Sequence, residues 1–168
     1  MISFPVFLIN LDDSPVRLAA AQGNCTAHGV EFTRVSGYNG RKLDPMSVPE
    51  YDSAAALQYM GRDLNGGEIG CYFRHIRALE NFLETGAPYG LVLEDDMLPN
   101  EHAFALTQSL INWQAKRGTP DWHVANVGAD RMKIMSAVAP LRHAKVHRPL
   151  WTAICRWIAR WTMPPAAG

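Results

Sequence analysis

The sequence is poor in the features that would fix its class at a glance. It has three cysteines, Cys25, Cys71 and Cys155, an odd number with no C-x-x-C pair. A disulfide framework is therefore not expected, and a reducing compartment is. Net charge is absent, because sixteen basic residues offset sixteen acidic ones. That removes the electrostatic case for binding a nucleic-acid polymer, which rests on a basic excess. No run of about 20 apolar residues occurs, so no helix is expected to span a membrane. The first apolar run, Phe4 to Ile9, is too short and too poor in flanking basic residues to be a secretory signal. The glycine patterns of dinucleotide and P-loop sites are missing. So is the G-x-S-x-G elbow that would support Ser-His-Asp chemistry. These absences leave a cytoplasmic protein as the expectation.

What is present is the material of one domain. At 168 residues, 48% hydrophobic and 19% charged, the chain is long enough to bury a sizeable core without a metal or disulfide staple. Phe4 to Asn10 reads as a buried strand, with Pro5 at its start. Ser14 is a plausible N-cap before Pro15 at a first helical position, which predicts a helix to His28 ended by Gly29. Val30 to Val35 alternates apolar and polar residues, the pattern of a half-buried strand. Strand, helix and strand in succession predict a βαβ unit with a parallel sheet.

Residues 37 to 66 are loop-rich, with one short helix expected at Ser53 to Met60. The strongest helical pattern runs from Gly67 to Thr85, with Ile69, Tyr72, Phe73, Ile76, Leu79, Phe82 and Leu83 on one face and Gly86 as the stop. Tyr89 to Leu93 is a second buried strand, Ala103 to Trp113 a further helix, and Trp122 to Val127 a fourth strand.

In an open parallel sheet, ligands bind beyond the carboxyl ends of the strands. Three polar clusters fall there: Asn10 to Asp13, Gly37 to Gly40, and Glu94-Asp95-Asp96. Three consecutive carboxylates repel one another, and a divalent cation such as Mg²⁺ or Mn²⁺ would offset this. Such a cation would also hold a diphosphate as leaving group. A solvated acidic turn is the plainer reading of the same tripeptide. Arg17 and the Asn10 loop could take a nucleotide, or Arg17 is an ordinary surface arginine. His75, near Glu68 on the strongest helix, is either a structural hydrogen-bond partner or a group that touches substrate. Cys71 reads as a small buried hydrophobe.

Three segments together resemble glycosyltransferase family 25, the bacterial lipooligosaccharide galactosyltransferases and the related collagen galactosyltransferases. They are Val6–Arg17 (VFLINLDDSPVR), Gly67–Cys71 (GEIGC) with His75, and Tyr89–Asp96 (YGLVLEDD). Weaker echoes are Ser36 to Gly40 and the stretch from Asp121 to Gly128. The resemblance covers residues 4 to 130. It implies an α/β fold of GT-A type, a Rossmann-like, mostly parallel sheet flanked by helices. It also implies metal-dependent transfer of a sugar, galactose in most of the family, from a UDP-sugar with inversion. The acceptor it implies is a lipooligosaccharide or other cell-envelope saccharide, lipid-linked, at the inner face of the bacterial inner membrane.

On that resemblance Asp96 is the expected Mn²⁺ (or Mg²⁺) ligand, with Glu94 assisting. Asn10, Leu11, Arg17, Gly37 and Asp95 surround the uridine diphosphate, and Glu68 and His75 organise the site. A base must accept the acceptor hydroxyl's proton, and Asp130, after the fourth strand, is the candidate chosen over Asp121 and the later histidines.

The chain departs from the family pattern in two places. Arg74 stands where the family usually has Ser. The residues after His147–Pro149 also do not continue as the family does. Residues 1–140 are then the expected nucleotide-sugar-binding domain and 141–168 an atypical tail. Trp151, Ile154, Ile158 and Trp161, with Arg156 and Arg160 between them, fit a basic amphipathic helix on a membrane surface. They also fit a terminal helix packed on the domain, or a remnant left by truncation. In the last case the chain would be a non-catalytic UDP-sugar-binding remnant.

Overall fold

The computed structural model describes residues 2–37 and 39–118, and the backbone of 124–126 and 132–136. The chain forms two compact units. Among the described residues, one comprises 2–37 and those from Arg74 to the end of the fifth strand at Ser136, and the other residues 39–73. In the first, β1 (Val6–Leu11) leads through α1 (Pro15–Ala27) to β2 (Thr33–Gly37). The second holds two single-turn 3-10 helices and α2 (Ser53–Met60), and in it begins α3 (Gly66–Glu84). Next come β3 (Tyr89–Glu94), α4 (Ala103–Arg117), β4 (Val124–Asn126) and β5 (Met132–Ser136).

The sheet order is β2-β1-β3-β5-β4. β1 is parallel to both β2 and β3, whereas β5 is antiparallel to β3 and to β4. Four strands thus share one direction, and β5 runs against them. β1 is followed in sequence by the strand on one side of it and later by the strand on its other side, so the chain reverses its direction of travel across the sheet. Crossovers of constant right hand that travel in opposite directions place their helices on opposite faces.

The core has that arrangement. Val6, Leu8, Leu91 and Leu93 pack with Ala21 and Cys25 of α1 and with Phe104 and Ile111 of α4. Phe7, Ile9, Val35 and Val92, from the other face, pack with Ala78 and Phe82 of α3. The period-2 alternation of β1 and β3 therefore sorts consecutive apolar residues into two layers. Each fully buried aliphatic or aromatic side chain in these layers contributes roughly 1.5–3 kcal/mol.

Several boundaries differ from the sequence expectation for local reasons. β2 begins at Thr33, not Val30, because Val30 belongs to the end of α1. Its N–H bonds back to the Cys25 carbonyl at 2.9 Å, and its side chain joins the α1 face of the core. Gly29 makes this reversal with φ of 63°. On α3 the inner stripe in this unit is His75, Ala78 and Phe82, while Leu83 is exposed. β5 was not anticipated. Asp121, Asp130 and the tail from 141 to 168 lie outside the described residues.

In the second unit, Ala56, Leu64 and Ile69 form a small core with Leu43, Val48, Tyr51, Met60 and Phe73 around it. A methyl group added to Gly40 would run into the Gly66 carbonyl, and one added to Gly66 into the carbonyls of Gly40 and Leu43. The start of α3 is thus seated directly against the first 3-10 turn, backbone on backbone.

Gly90 has a comparable constraint on β3, since its Cβ would lie 2.6 Å from the Phe82 ring. Gly90→Ala is expected to destabilise the protein by about 1–3 kcal/mol through overpacking. Combined with Phe82→Leu it should cost less than the two single changes added together. Urea denaturation of the four proteins in this cycle checks it; strict additivity would show that the ring does not set the constraint.

Candidate functional site

The carboxyl ends of β1 and β3 lie side by side, with Ile9 in register with Glu94. Asn10 and Asp95 follow these two positions, at the point where the chain reverses its direction across the sheet. Asn10 is 1% exposed and Asp95 8%. The Asn10 amide donates from Nδ2 to Asp95 Oδ2 at 2.7 Å and to the Ser14 carbonyl at 3.1 Å. Its Oδ1 accepts from Arg34 Nε at 3.1 Å. Both amide protons and the carbonyl are therefore used, which fixes one orientation of the side chain. One buried residue ties β1, β2, the start of α1 and the turn after β3 together.

Arg17, in the first turn of α1, points back toward the helix start, as helical side chains do. Its Nη2 pairs with Asp95 Oδ1 and, at 2.8 Å, with Asp96 Oδ2. The repulsion expected within the acidic run is thus partly offset by a cation of the chain itself. Glu94, the last residue of β3, is on the other side. Its Oε1 lies 3.6 Å from Nε2 of His75, which is buried on the inner stripe of α3. That separation is beyond hydrogen-bond length, and an ion pair forms there only when the imidazole is protonated.

A second network borders the first. Asp12 accepts from Arg34 Nη2 at 2.6 Å and from the Ser36 hydroxyl at 2.7 Å. The Ser36 hydrogen bond, followed by that of Arg34, holds the Asp12 carboxyl below its ordinary value. Arg77 of α3 donates to the Ser36 carbonyl at 3.1 Å. Gly37 is bare because a Cβ there would lie 2.8 Å from Arg74 Cδ and 2.9 Å from the Asn10 carbonyl oxygen. The arginine that departs from the family pattern thus lays its stem across Gly37. Leu11 is half-buried, and its carbonyl accepts from Ser14 N–H at 3.0 Å.

The structure therefore gathers Asn10, Leu11, Arg17, Gly37, His75, Glu94, Asp95 and Asp96 within one unit. Sequence reasoning missed Arg34, Ser36 and Arg77 as members of the cluster. Glu68 belongs to the other unit, at the start of α3. It accepts Arg62 in a two-pronged pair at 2.7 and 3.0 Å and the Asn65 N–H at 2.8 Å. Asn65 Oδ1 in turn accepts the Glu68 N–H at 3.0 Å, which completes a reciprocal capping box. Burial pushes the Glu68 carboxyl up, but the Arg62 and Asn65 bonds together outweigh it and leave the group below its ordinary 4.5.

Among the described residues no three His, Cys, Asp or Glu side chains are grouped to hold a metal. A closed protein cage is absent from that part of the chain. Glu94 and Asp96 nevertheless supply hard carboxylate oxygens, with side chains 25% and 34% exposed. Mg²⁺ is usually held by one or two carboxylates together with substrate phosphates. The donor set fits an open site of that kind, with Arg17 already bound to one of its two carboxylates.

A family model described as glycosyltransferase family 25 (LPS biosynthesis protein) matches residues 4–136. Procollagen galactosyltransferase 1-B of Xenopus laevis is 26% identical over 140 residues, which is 81% of this chain and 23% of that protein. Procollagen galactosyltransferase 2 of Mus musculus is 23% identical over 133 residues, 77% of this chain and 21% of that protein. The chain thus spans under a quarter of the length of these curated relatives.

Two outcomes are expected from these contacts. Asn10→Ala removes a hydrogen bond to a buried carboxylate and should cost about 1.5–3 kcal/mol in urea denaturation; a neutral result would mean that the amide does not tie the strands. For Glu68, the folded carboxyl titrates below the unfolded one. Its stabilisation is therefore complete above about pH 4.5 and is lost as pH falls through the lower folded value. Glu68→Gln should accordingly lose less stability than the parent between pH 5 and pH 3, measured by denaturation at each pH.

Proposed function

Because this chain belongs to glycosyltransferase family 25, we propose that it transfers a sugar, galactose, from a UDP-sugar to a saccharide acceptor with the help of Mn²⁺ or Mg²⁺. The observation that carries this reading is the convergence of Asn10, Arg17 and the Glu94–Asp96 run on the carboxyl ends of β1 and β3. In open α/β sheets that is where a nucleotide binds. Galactose is favoured because the matched relatives are named galactosyltransferases. The family description, with its reference to LPS biosynthesis, favours a cell-envelope acceptor, lipid-linked and met at the inner face of a bacterial membrane. No helix among the described residues is long and apolar enough to cross a membrane.

In this reading each residue has a distinct task. The Asn10 amide holds the turn after β3 in place, so that the carboxylates face the donor and not one another. Arg17 supplies a planar cation of the geometry that suits phosphate oxygens. Glu94 and Asp96 would hold the divalent cation, which when bound supplies charge neutralisation for the diphosphate leaving group. His75, fixed on the inner stripe of α3, sets the charge around Glu94. Asp130 is proposed as the base that takes the proton of the acceptor hydroxyl as the new glycosidic bond forms.

The test is a transfer assay with UDP-galactose, Mn²⁺ and a lipooligosaccharide acceptor, with product identified by mass spectrometry. Turnover is expected, and chelation of the metal should abolish it. Asp96→Asn should lower kcat by about a hundredfold or more while the protein stays folded, since electrostatic help to a leaving group amounts to several kcal/mol. Metal-dependent UDP binding without turnover would instead identify a donor-binding remnant. No binding of UDP at any metal concentration would reject both.

A further inference from the structure

The charge of the two carboxylates that follow β3 is partly offset from within the chain. A single atom, Nη2 of Arg17, contacts both Asp95 Oδ1 and Asp96 Oδ2. The arginine is not sealed in place, because its side chain remains 48% exposed. Asp95 has a further partner, since the Asn10 amide donates to its other oxygen at 2.7 Å. When the guanidinium leaves, Asp95 therefore keeps a hydrogen bond, whereas Asp96 loses its ion pair with Arg17, and the Asp96 side chain is the more exposed of the two. The arrangement has one carboxylate held from two sides, a second and more exposed carboxylate, and one cation able to swing outward on an exposed stem.

A guanidinium and a divalent cation compete for such oxygens. Both need carboxylate lone pairs at close range, and like charges at that separation repel. We propose that Arg17 is the resident counterion of this site. An incoming divalent cation displaces it from Asp96, and the released guanidinium becomes the group that grips the diphosphate of the donor. The inference rests on the nucleotide-sugar reading above and adds an order of events to it. Metal alone binds weakly because it must evict Arg17. Metal and diphosphate bind with positive coupling, because the diphosphate gives the evicted cation a new partner, and linkage requires the same coupling in both directions.

The experiment uses the full chain and Mn²⁺ alone, with free metal followed by electron paramagnetic resonance. Arg17→Gln should bind Mn²⁺ about tenfold more tightly than the parent, within the usual range of coupling between sites. It should bind UDP more weakly in the presence of Mn²⁺. Arg17→Lys, which keeps the charge but not the planar fork, should fall between the two. Equal or weaker Mn²⁺ binding by Arg17→Gln would overturn the proposal, and so would absence of Mn²⁺ binding in every variant.

A second measurement needs no substitution. In ¹⁵N-arginine-labelled parent protein, the Arg17 side-chain signal should shift when Mg²⁺ is added. An unchanged signal at saturating Mg²⁺ would also overturn it. Failure here is separable from failure of the functional reading: a protein that transfers sugar while Arg17→Gln leaves its Mn²⁺ affinity unchanged rejects only the counterion role.

Discussion

The Asp95 carboxylate is the constraint around which the first unit is organised. Burying such a group is costly unless its oxygens are matched by hydrogen bonds and opposite charge. Here the match comes from Asn10 at the end of β1 and Arg17 in the first turn of α1. Asn10 in turn engages Arg34 of β2 and the Ser14 carbonyl. The polar network therefore fixes the turn after β3 relative to β1, β2 and the first turn of α1, at the one level of the sheet where the apolar layers end. Below that level packing determines position; at it, directed hydrogen bonds do.

The reversal of chain direction around β1 explains why the polar network lies where it does. α1 lies on one face and α3 on the other, so the junction between the ends of β1 and β3 is flanked by a helix on each side. Side chains reach that junction from both directions. Arg17 comes from α1 and His75 from α3, and the alternation of β3 hands Glu94 to the α3 side and Asp95 to the α1 side. Glu94 is thereby separated from Asp95 onto a different partner, while Asp95 and Asp96 share Arg17, and both arrangements lower the repulsion that the tripeptide alone would suggest.

Much of this was legible in the sequence, and the gaps have physical causes. β1, α1, α2, α3, β3 and α4 stand out through periodicity and their stop residues, because local pattern and tertiary packing agree in them. The start of β2 was misread since Val30 is apolar for a different reason: it closes α1 and does not pair with a neighbouring strand. β5 has a short alternating sequence, but its antiparallel pairing with β3 is a long-range property that no local window contains. At the site, Asn10, Arg17 and the acidic run were found by their place at strand ends. Arg34 and Ser36 were not, because their membership depends on strand register, nor was Arg77, whose contact with Ser36 depends on how α3 packs on the sheet. The Asn65–Glu68 capping box carried a readable signal in its three-residue spacing, yet the family pattern drew attention to Glu68 as a site residue instead.

The seating of α3 against the first 3-10 turn has a consequence for how sequences of this kind can diverge. Gly40 and Gly66 exclude each other's side chains through main-chain carbonyls, not through neighbouring side chains that a second replacement could shorten. No shortening of a side chain elsewhere would relieve the clash, so a replacement at either position has to move the main chain itself. The two glycines stand 26 residues apart, and between them only the positions outside the Ala56–Leu64–Ile69 core are free of packing constraint. Divergence is channelled into what the second unit carries on its surface and kept out of the joint from which α3 departs.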